Sequence, residues 1–232
     1  MEYIRDQIES IRVQIDECAK SSGRKTKDIT LMAVTKTHPV EKIIYAREEC
    51  NMHCFGENRV QELQQKYKEL NIPDELHFIG HLQSNKVKKV LELTNHIDSV
   101  DTARLLEKIE KAAAEKDMVV SVLFEYNTSK EEAKSGFTSR DELVKAIEKG
   151  FSCKHIEMKG LMTVGPLVDD ERTIRSSFKE LRGLYYDIIK RFPEIQFDTI
   201  SMGMSSDYLL AIEEGSTMVR VGTKIFGKRE NV

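Results

Sequence analysis

The sequence predicts an α/β fold, a single (β/α)8 TIM barrel with an extra N-terminal helix. Three observations support it. Strand-like apolar segments alternate with amphipathic helical segments along the 232 residues. Repeated strand–helix units require parallel strands joined by right-handed crossovers. The length fits one such barrel, which typically takes roughly 250 residues. No linker or shift in composition divides the chain, so we expect one domain over residues 1–232.

Composition and charge exclude several classes of protein. The chain is 40% hydrophobic and 32% charged, and its net charge of −3 is too near balance for a nucleic-acid or anionic-membrane surface. The N-terminus has no apolar core of signal-peptide type, and no apolar run reaches the ~18 residues of a membrane span. The four cysteines suggest no disulfide framework. We therefore expect a cytoplasmic protein with reduced thiols and no nucleic-acid or membrane partner.

The first half of the chain predicts one leading helix and four strand–helix units. A helix over 3–20 is indicated by isoleucines spaced at four, three and four, which form an amphipathic stripe. Pro39 fits the first turn of a later helix, and Thr102 lies near the start of another. The predicted strands are 29–36, 53–58, 75–82 and 96–101. The predicted helices that follow them are 39–50, 59–70, 84–93 and 102–116.

The second half continues the alternation. Its predicted strands are 118–127, 155–165, 198–203 and 216–227, and its predicted helices are 139–150, 169–192 and 205–215. Gly150 is expected to be a helix C-cap, and Pro193 stops the long helix. The alternative architecture is an open doubly wound sheet. It is disfavoured because no G-x-G-x-x-G turn follows the first strand.

Polar residues follow several of the predicted strands. In a (β/α)8 barrel the active site lies at the carboxyl ends of the strands, so these residues should meet at one mouth. Lys36 ends the first strand, and "GEN" at 56–58 follows the second. "GHLQSNK", "SMGMSSD" and "RVGT" follow the third, seventh and eighth strands.

Two cationic residues at this mouth each have two interpretations. On position alone, a lysine after a strand is usually a solvated loop residue. A desolvated lysine amine, however, loses its proton easily and can attack an aldehyde to form a Schiff base. Arg220 lies inside a buried strand, where a charge is costly unless it is paired. It is therefore either a structural ion pair or a cation that holds a ligand.

The last two strand ends together suggest a phosphate site. Ser205 and Ser206 stand at a predicted helix N-terminus, and Gly222 and Thr223 offer backbone N–H groups and a hydroxyl. A phosphate site between strands seven and eight recurs in this fold. With Lys36, the pattern predicts a ligand that carries both an aldehyde and a phosphate.

Five segments resemble the pyridoxal phosphate homeostasis protein family: "AVTKTHP", "FGENRVQE", "HFIGHLQSNK", "KGLMT" and "SMGMSSDYLLAIEEGSTMVRVGTKIFG". The resemblance runs from about residue 4 to 227. It implies a fold-type III barrel similar to the N-terminal domain of alanine racemase, with pyridoxal 5′-phosphate (PLP) bound as a Schiff base. The cofactor-binding residues that it implies are Lys36, Asn58, Met204, Ser205, Arg220, Gly222 and Thr223.

The resemblance also implies a role for most of these residues. Lys36 is the Schiff-base lysine, and Arg220 faces the pyridine nitrogen. Ser205, Gly222 and Thr223 hold the phosphate, with the Met204 amide nearby. Asn58 is a polar residue near the cofactor.

Two classes of function remain open at this point. One is a PLP-binding protein of intracellular PLP homeostasis, which carries the cofactor without turnover and has PLP-dependent client enzymes as candidate partners. The other is an amino-acid racemase-like PLP enzyme. Alanine racemase adds a β-rich domain that supplies a second base, and we expect no room for it after the last strand. A pure protein-binding scaffold is a third, weaker class. We expect a monomer with no catalytic residues.

Other motifs predict no further site. "CNMHC" at 50–54 has no second ligand pair at zinc spacing, so we expect no metal. His81 lies at the predicted mouth and is given no catalytic role.

Overall fold

The predicted strands form a closed parallel barrel in chain order. The computed structural model describes residues 1–67, 70–131 and 133–227. Each strand pairs with the next, and β8 closes the ring by pairing with β1. The strands are β1 (Thr30–Val34), β2 (Phe55–Glu57), β3 (Leu76–Phe78), β4 (His96–Val100), β5 (Val120–Glu125), β6 (Ile156–Met162), β7 (Thr199–Ser201) and β8 (Met218–Val221). The barrel class predicted from the sequence is confirmed.

Helices surround the barrel. They are α1 (Glu2–Ser21), α2 (Val40–Cys50), α3 (Val60–Tyr67), α4 (Val87–Val90), α5 (Ala103–Ala114), α6 (Arg140–Gly150), α7 (Glu171–Arg191), α8 (Tyr208–Glu213) and α9 (Thr223–Phe226). The predicted isoleucine stripe of α1 is buried against α2, α8 and α9. Thr102 caps α5 by accepting the Leu105 N–H at 3.2 Å. In the described residues, no helix is both long and apolar enough to cross a bilayer.

Strand alternation separates two layers of packed side chains. Ala33, Phe55 and Val219 belong to the layer between the sheet and the helices. Met32 pairs in register with Arg220, and both side chains are buried within the barrel. Successive strand ends therefore carry inward-facing side chains to the same mouth, which is the geometry that a binding site at this end requires.

The last strand is shorter than predicted. It ends at Val221, and the predicted continuation to 227 is wrong because residues 223–226 form α9. The carbonyl of Gly222 accepts the N–H groups of Ile225 and Phe226 at 2.9 Å each. A short apolar run fits a strand or a buried helical turn equally well, so hydrophobicity could not separate them.

Other predicted boundaries also differ. Gly150 is the last residue of α6 and not a C-cap outside it, and its φ is not positive. A Cβ there would lie 2.3 Å from Met158 Sδ, so the glycine allows α6 to approach β6 closely. β2 and β3 are shorter than predicted. α3 ends at Tyr67, and the predicted positions 68 and 69 lie outside the described residues.

Candidate functional site

A cavity of about 580 Å³ opens at the carboxyl ends of the strands. All seven residues predicted to bind a cofactor line it: Lys36, Asn58, Met204, Ser205, Arg220, Gly222 and Thr223. They come from the ends of β1, β2, β7 and β8. The structure therefore brings together residues that are up to 187 positions apart in the chain, from 36 to 223.

Lys36 stands in the turn between β1 and α2, and its side chain is half-buried. The turn is tight, because Thr37 has a φ of +63°, a left-handed conformation that non-glycine residues adopt only with support. The amide of Thr37 donates to Glu62 Oε2 at 2.6 Å, and Glu62 lies on α3. Lys36 thus reaches the cavity from a backbone that a neighbouring helix holds.

Arg220 is 4% exposed and projects from the middle of β8 into the barrel. Its Nη1 donates to Ser201 Oγ at 2.6 Å and its Nη2 to the carbonyl of Thr163 at 2.7 Å. Among the described residues, no carboxylate lies within 4 Å of the guanidinium, which argues against a structural ion pair. Burial lowers the pKa of Arg220, and Asp98 opposes that effect through its charge. The guanidinium is a fixed cation that also lines the cavity.

The β7 and β8 ends form one polar corner. Gly222 N–H donates to Ser205 Oγ at 3.2 Å, so the two chain segments touch there. A Cβ on Gly222 would lie 3.0 Å from the Val34 carbonyl, a tight contact that a larger residue could make only if Val34 shifted by a few tenths of an ångström. The amide of Met204 donates to the buried Asp207 carboxylate at 2.6 Å. That N–H serves the turn in this structure, whereas Ser205 and Thr223 line the cavity.

Asn58 holds a buried side-chain oxygen, Oδ1, that has no hydrogen-bond partner among the described residues. Its backbone is packed tightly, because a Cβ on Gly80 would lie 2.2 Å from the Asn58 carbonyl. A buried polar atom without a partner is rare and calls for a ligand or water at that position. Asn58 is therefore a residue that a polar ligand would satisfy.

Glu125 and His81 also line the cavity, and neither was assigned a role from the sequence. Glu125 ends β5, is 4% exposed and accepts the Ser135 hydroxyl at 2.9 Å. Burial raises the pKa of the Glu125 carboxyl, and its hydrogen bond from Ser135 opposes that rise. His81 is 61% exposed and pairs with Asp101 at 2.9 Å. Glu125 could have been found by the same strand-end rule that identified Lys36.

The opposite end of the barrel holds a second polar group. His77 Nδ1 lies 3.0 Å from Asp98 Oδ2, and the His77 ring stacks on His96 with centroids 4.2 Å apart. Burial disfavours the charged form of His77, but the Asp98 carboxylate and Cys54 together outweigh burial and raise the His77 pKa. Burial is the main cause that lowers the pKa of His96 to about 4, and the charge of the neighbouring His77 adds to it. The cavity there is about 180 Å³.

The cysteine motif at 50–54 forms no metal cluster. Cys50 is buried, Cys54 is half-buried, and His53 lies 3.4 Å from Glu75. Within residues 1–67, 70–131 and 133–227, no group of three or more His, Cys, Asp or Glu side chains is placed to hold a metal ion.

The geometry agrees with what comparison with known proteins shows. Residues 9–230 match the family model for the alanine racemase N-terminal domain. A pyridoxal phosphate homeostasis protein from Pasteurella multocida is 35% identical, with 98% of each chain covered. One from Vibrio alginolyticus is 38% identical, with 99% of each covered.

A solved structure extends the comparison to the whole fold. PipY of Synechococcus elongatus PCC7942, determined with PLP bound, superimposes with a TM-score of 0.83 at 30% identity. The match covers 97% of this chain and 100% of PipY. Sequence and fold agree over nearly the whole length, so the chain belongs to the pyridoxal phosphate homeostasis protein family, whose barrel is the alanine racemase N-terminal domain.

Proposed function

We propose that this chain binds PLP in the mouth cavity and serves in PLP homeostasis, holding and releasing the cofactor without enzymatic turnover. One observation carries the proposal: a single cavity joins a lysine, a buried arginine and a corner of hydroxyl and amide groups. The relatives named for PLP homeostasis and the PLP-bound PipY structure support it.

The residues present fit PLP in size and in chemistry. A cavity of about 580 Å³ lies within the roughly 300–1,000 Å³ of small-ligand sites. The partnerless Oδ1 of Asn58 is a feature that a bound polar ligand explains. It falls where the sequence predicts a cofactor contact.

The residues divide into three tasks. Lys36 would hold the aldehyde end, because its amine is the nucleophile of the cavity. Ser205, Gly222 and Thr223 would hold the phosphate through hydroxyl and N–H donors. Arg220 would face the pyridine nitrogen. When bound, PLP supplies an aldehyde that condenses with amines and a ring that withdraws electrons from them.

Arg220 favours carriage over turnover. A guanidinium donates hydrogen bonds and accepts none, and it keeps its charge in proteins. Beside a pyridine nitrogen it would disfavour protonation of that nitrogen, so the ring would withdraw electrons less strongly. Its bonds to Ser201 and Thr163 fix it in that orientation. This arrangement suits a protein that retains the cofactor.

A racemase-like enzyme remains the second candidate, and one observation favours it. A racemase needs a second base opposite the lysine. His81, oriented by Asp101, lines the same cavity and is the described side chain best suited to that task. The two candidates differ in whether an amino-acid α-proton exchanges at a useful rate.

Proton exchange separates the two functions. The PLP-loaded protein is incubated with L- and D-alanine in deuterated water, and α-deuterium is followed by NMR. We expect exchange far below the ~1 s⁻¹ of a slow enzyme. Exchange at ~1 s⁻¹ or faster that is lost in His81→Ala would establish the enzyme instead.

The proposal places the whole site in one chain. All seven predicted cofactor residues belong to one barrel mouth, and we propose that the protein works as a monomer. Light scattering should give the mass of one chain for the PLP-loaded protein. A dimer that loses PLP on dilution would contradict this part of the proposal.

A further inference from the structure

The backbone on both sides of Lys36 is held by charged side chains of α3. The Thr37 N–H donates to Glu62 Oε2 at 2.6 Å. Lys66 Nζ donates to the Thr35 carbonyl at 2.9 Å. The residue before Lys36 and the residue after it are thus tied to the same helix, one turn apart on it.

The charged groups that hold this turn also hold one another. Lys66 Nζ lies 2.5 Å from Glu62 Oε2 and 3.1 Å from Glu57 Oε2. The exposed fractions of the side chains are 12% for Lys66, 16% for Glu62 and 0% for Glu57. Water and salt screen such a buried cluster weakly, so it is a stiff support. We refer to Glu57, Glu62 and Lys66 as the clamp.

The clamp reaches a second cavity residue. Glu57 Oε1 accepts the backbone N–H of Asn58 at 2.8 Å. The hydroxyl of Thr35 contacts Glu57 Oε2 at 3.2 Å and the Tyr67 hydroxyl at 2.8 Å. One cluster behind the sheet therefore fixes the turns that present both Lys36 and Asn58 to the cavity.

The turn needs this support. Thr37 has a φ of +63°, a conformation that a β-branched residue leaves unless its surroundings hold it. A relaxed Thr37 would rotate the preceding peptide and with it the direction of the Lys36 side chain. The clamp removes that freedom at the amide of Thr37 itself.

We propose that Glu62 and Lys66 are positioning residues for Lys36: they hold its backbone so that Nζ meets an incoming aldehyde in a reactive orientation. Misplacing a reacting group by about 1 Å can cost on the order of 100-fold in rate. This inference rests on the proposed function, in which Lys36 is the residue that holds PLP.

The test measures attachment rate and local opening separately. Apo-protein is mixed with PLP and quenched with borohydride at timed intervals, and label on Lys36 is quantified by mass spectrometry. Hydrogen exchange of the Thr37 amide is measured without cofactor. In Glu62→Ala we expect attachment about 10- to 100-fold slower and faster Thr37 exchange. Glu62→Gln, which keeps an acceptor oxygen, should recover most of the rate.

A matched control comes from the other end of the barrel. Glu110 accepts the N–H groups of Lys154 and His155 at 3.1 and 3.0 Å, so Glu110→Ala also releases backbone amides. It should speed exchange at 154 and 155 and leave attachment to Lys36 unchanged. If Glu62 only stabilised the local structure, Glu62→Ala would speed exchange of the Thr37 amide and leave the rate of PLP attachment to Lys36 unchanged.

The outcomes are distinct. A wild-type protein that attaches no PLP at Lys36 refutes the proposed function and this inference with it. If the wild type attaches PLP and Glu62→Ala does so equally fast, the positioning role alone is wrong. Should Glu62→Ala not fold, Lys66→Met is judged by the same two measurements.

Discussion

Removing the Ser205 hydroxyl most selectively tests whether the polar corner at the β7 and β8 ends binds the phosphate. The Gly222 N–H donates to Ser205 Oγ at 3.2 Å, so the two residues adjoin at one corner of the cavity that both line. A hydrogen bond to a charged group contributes about 1.5–3 kcal/mol. Since each 1.4 kcal/mol is tenfold, Ser205→Ala should raise the PLP dissociation constant about 10- to 150-fold.

The assay compares two ligands that differ only in the phosphate. Apo-protein is titrated with PLP and with pyridoxal at one temperature and salt concentration, and binding is followed by equilibrium dialysis. Ser205→Ala should weaken PLP and leave pyridoxal unchanged. Thr223→Ala should act in the same direction at the low end of that range, because Thr223 is exposed.

The controls decide what a loss means. Ser121→Ala removes a hydroxyl at the opposite end of the barrel, where it contacts Glu157, and should change neither ligand. If Ser205→Ala weakened the binding of PLP and of pyridoxal equally, Ser205 would not contact the phosphate. If the affinity for PLP were unchanged in Ser205→Ala, in Thr223→Ala and in the double variant, this corner would not be the phosphate-binding site.

Two further predictions concern stability. Gly150→Ala places a Cβ 2.3 Å from Sδ of the half-buried Met158, whose flexible side chain can move aside. The change should therefore cost about 1 kcal/mol in urea unfolding, the low end of the overpacking range, and Met158→Ala should recover part of that loss; an unchanged midpoint would contradict it. The lowered pKa of His96, about 4, means that the unfolded chain, with a histidine pKa of ~6.5, takes up the proton first. The free energy of unfolding of the wild type should therefore fall as the pH drops from about 6.5 to about 4. His96→Gln should lose up to about 3 kcal/mol less of this free energy over the same range. Parallel curves of unfolding free energy against pH for the two proteins would contradict the prediction.

The cavity residues were predictable because a (β/α)8 barrel places its binding site at the carboxyl ends of its strands. Once eight strands alternate with helices, every strand end points to one mouth. Lys36, Asn58 and Arg220 follow from their places in or after strands, with no need for detailed packing. Glu125 obeys the same rule, but it lies outside the five segments that carry the family resemblance and was not assigned a role.

The clamp was beyond the reach of sequence reasoning. Glu62 and Lys66 are charged residues at i, i+4 on a short helix, a pattern that usually indicates a solvated helix face. Their burial depends on how α3 packs against the β1 turn, which lies 25 or more positions earlier. The same limit applies to Gly150, because its close contact with Met158 exists only after α6 and β6 have packed.

Borohydride trapping tests the central claim most directly, namely that Lys36 is the residue that holds PLP in this barrel. The PLP-loaded protein is reduced and digested, and the label is located by mass spectrometry. We expect it on one peptide that contains residues 31–40, absent in Lys36→Ala and unchanged in Lys224→Ala, whose amine lies over the Tyr208 ring outside the cavity lining. Equal labelling in Lys36→Ala, or label spread over other lysines in the wild type, would contradict the account.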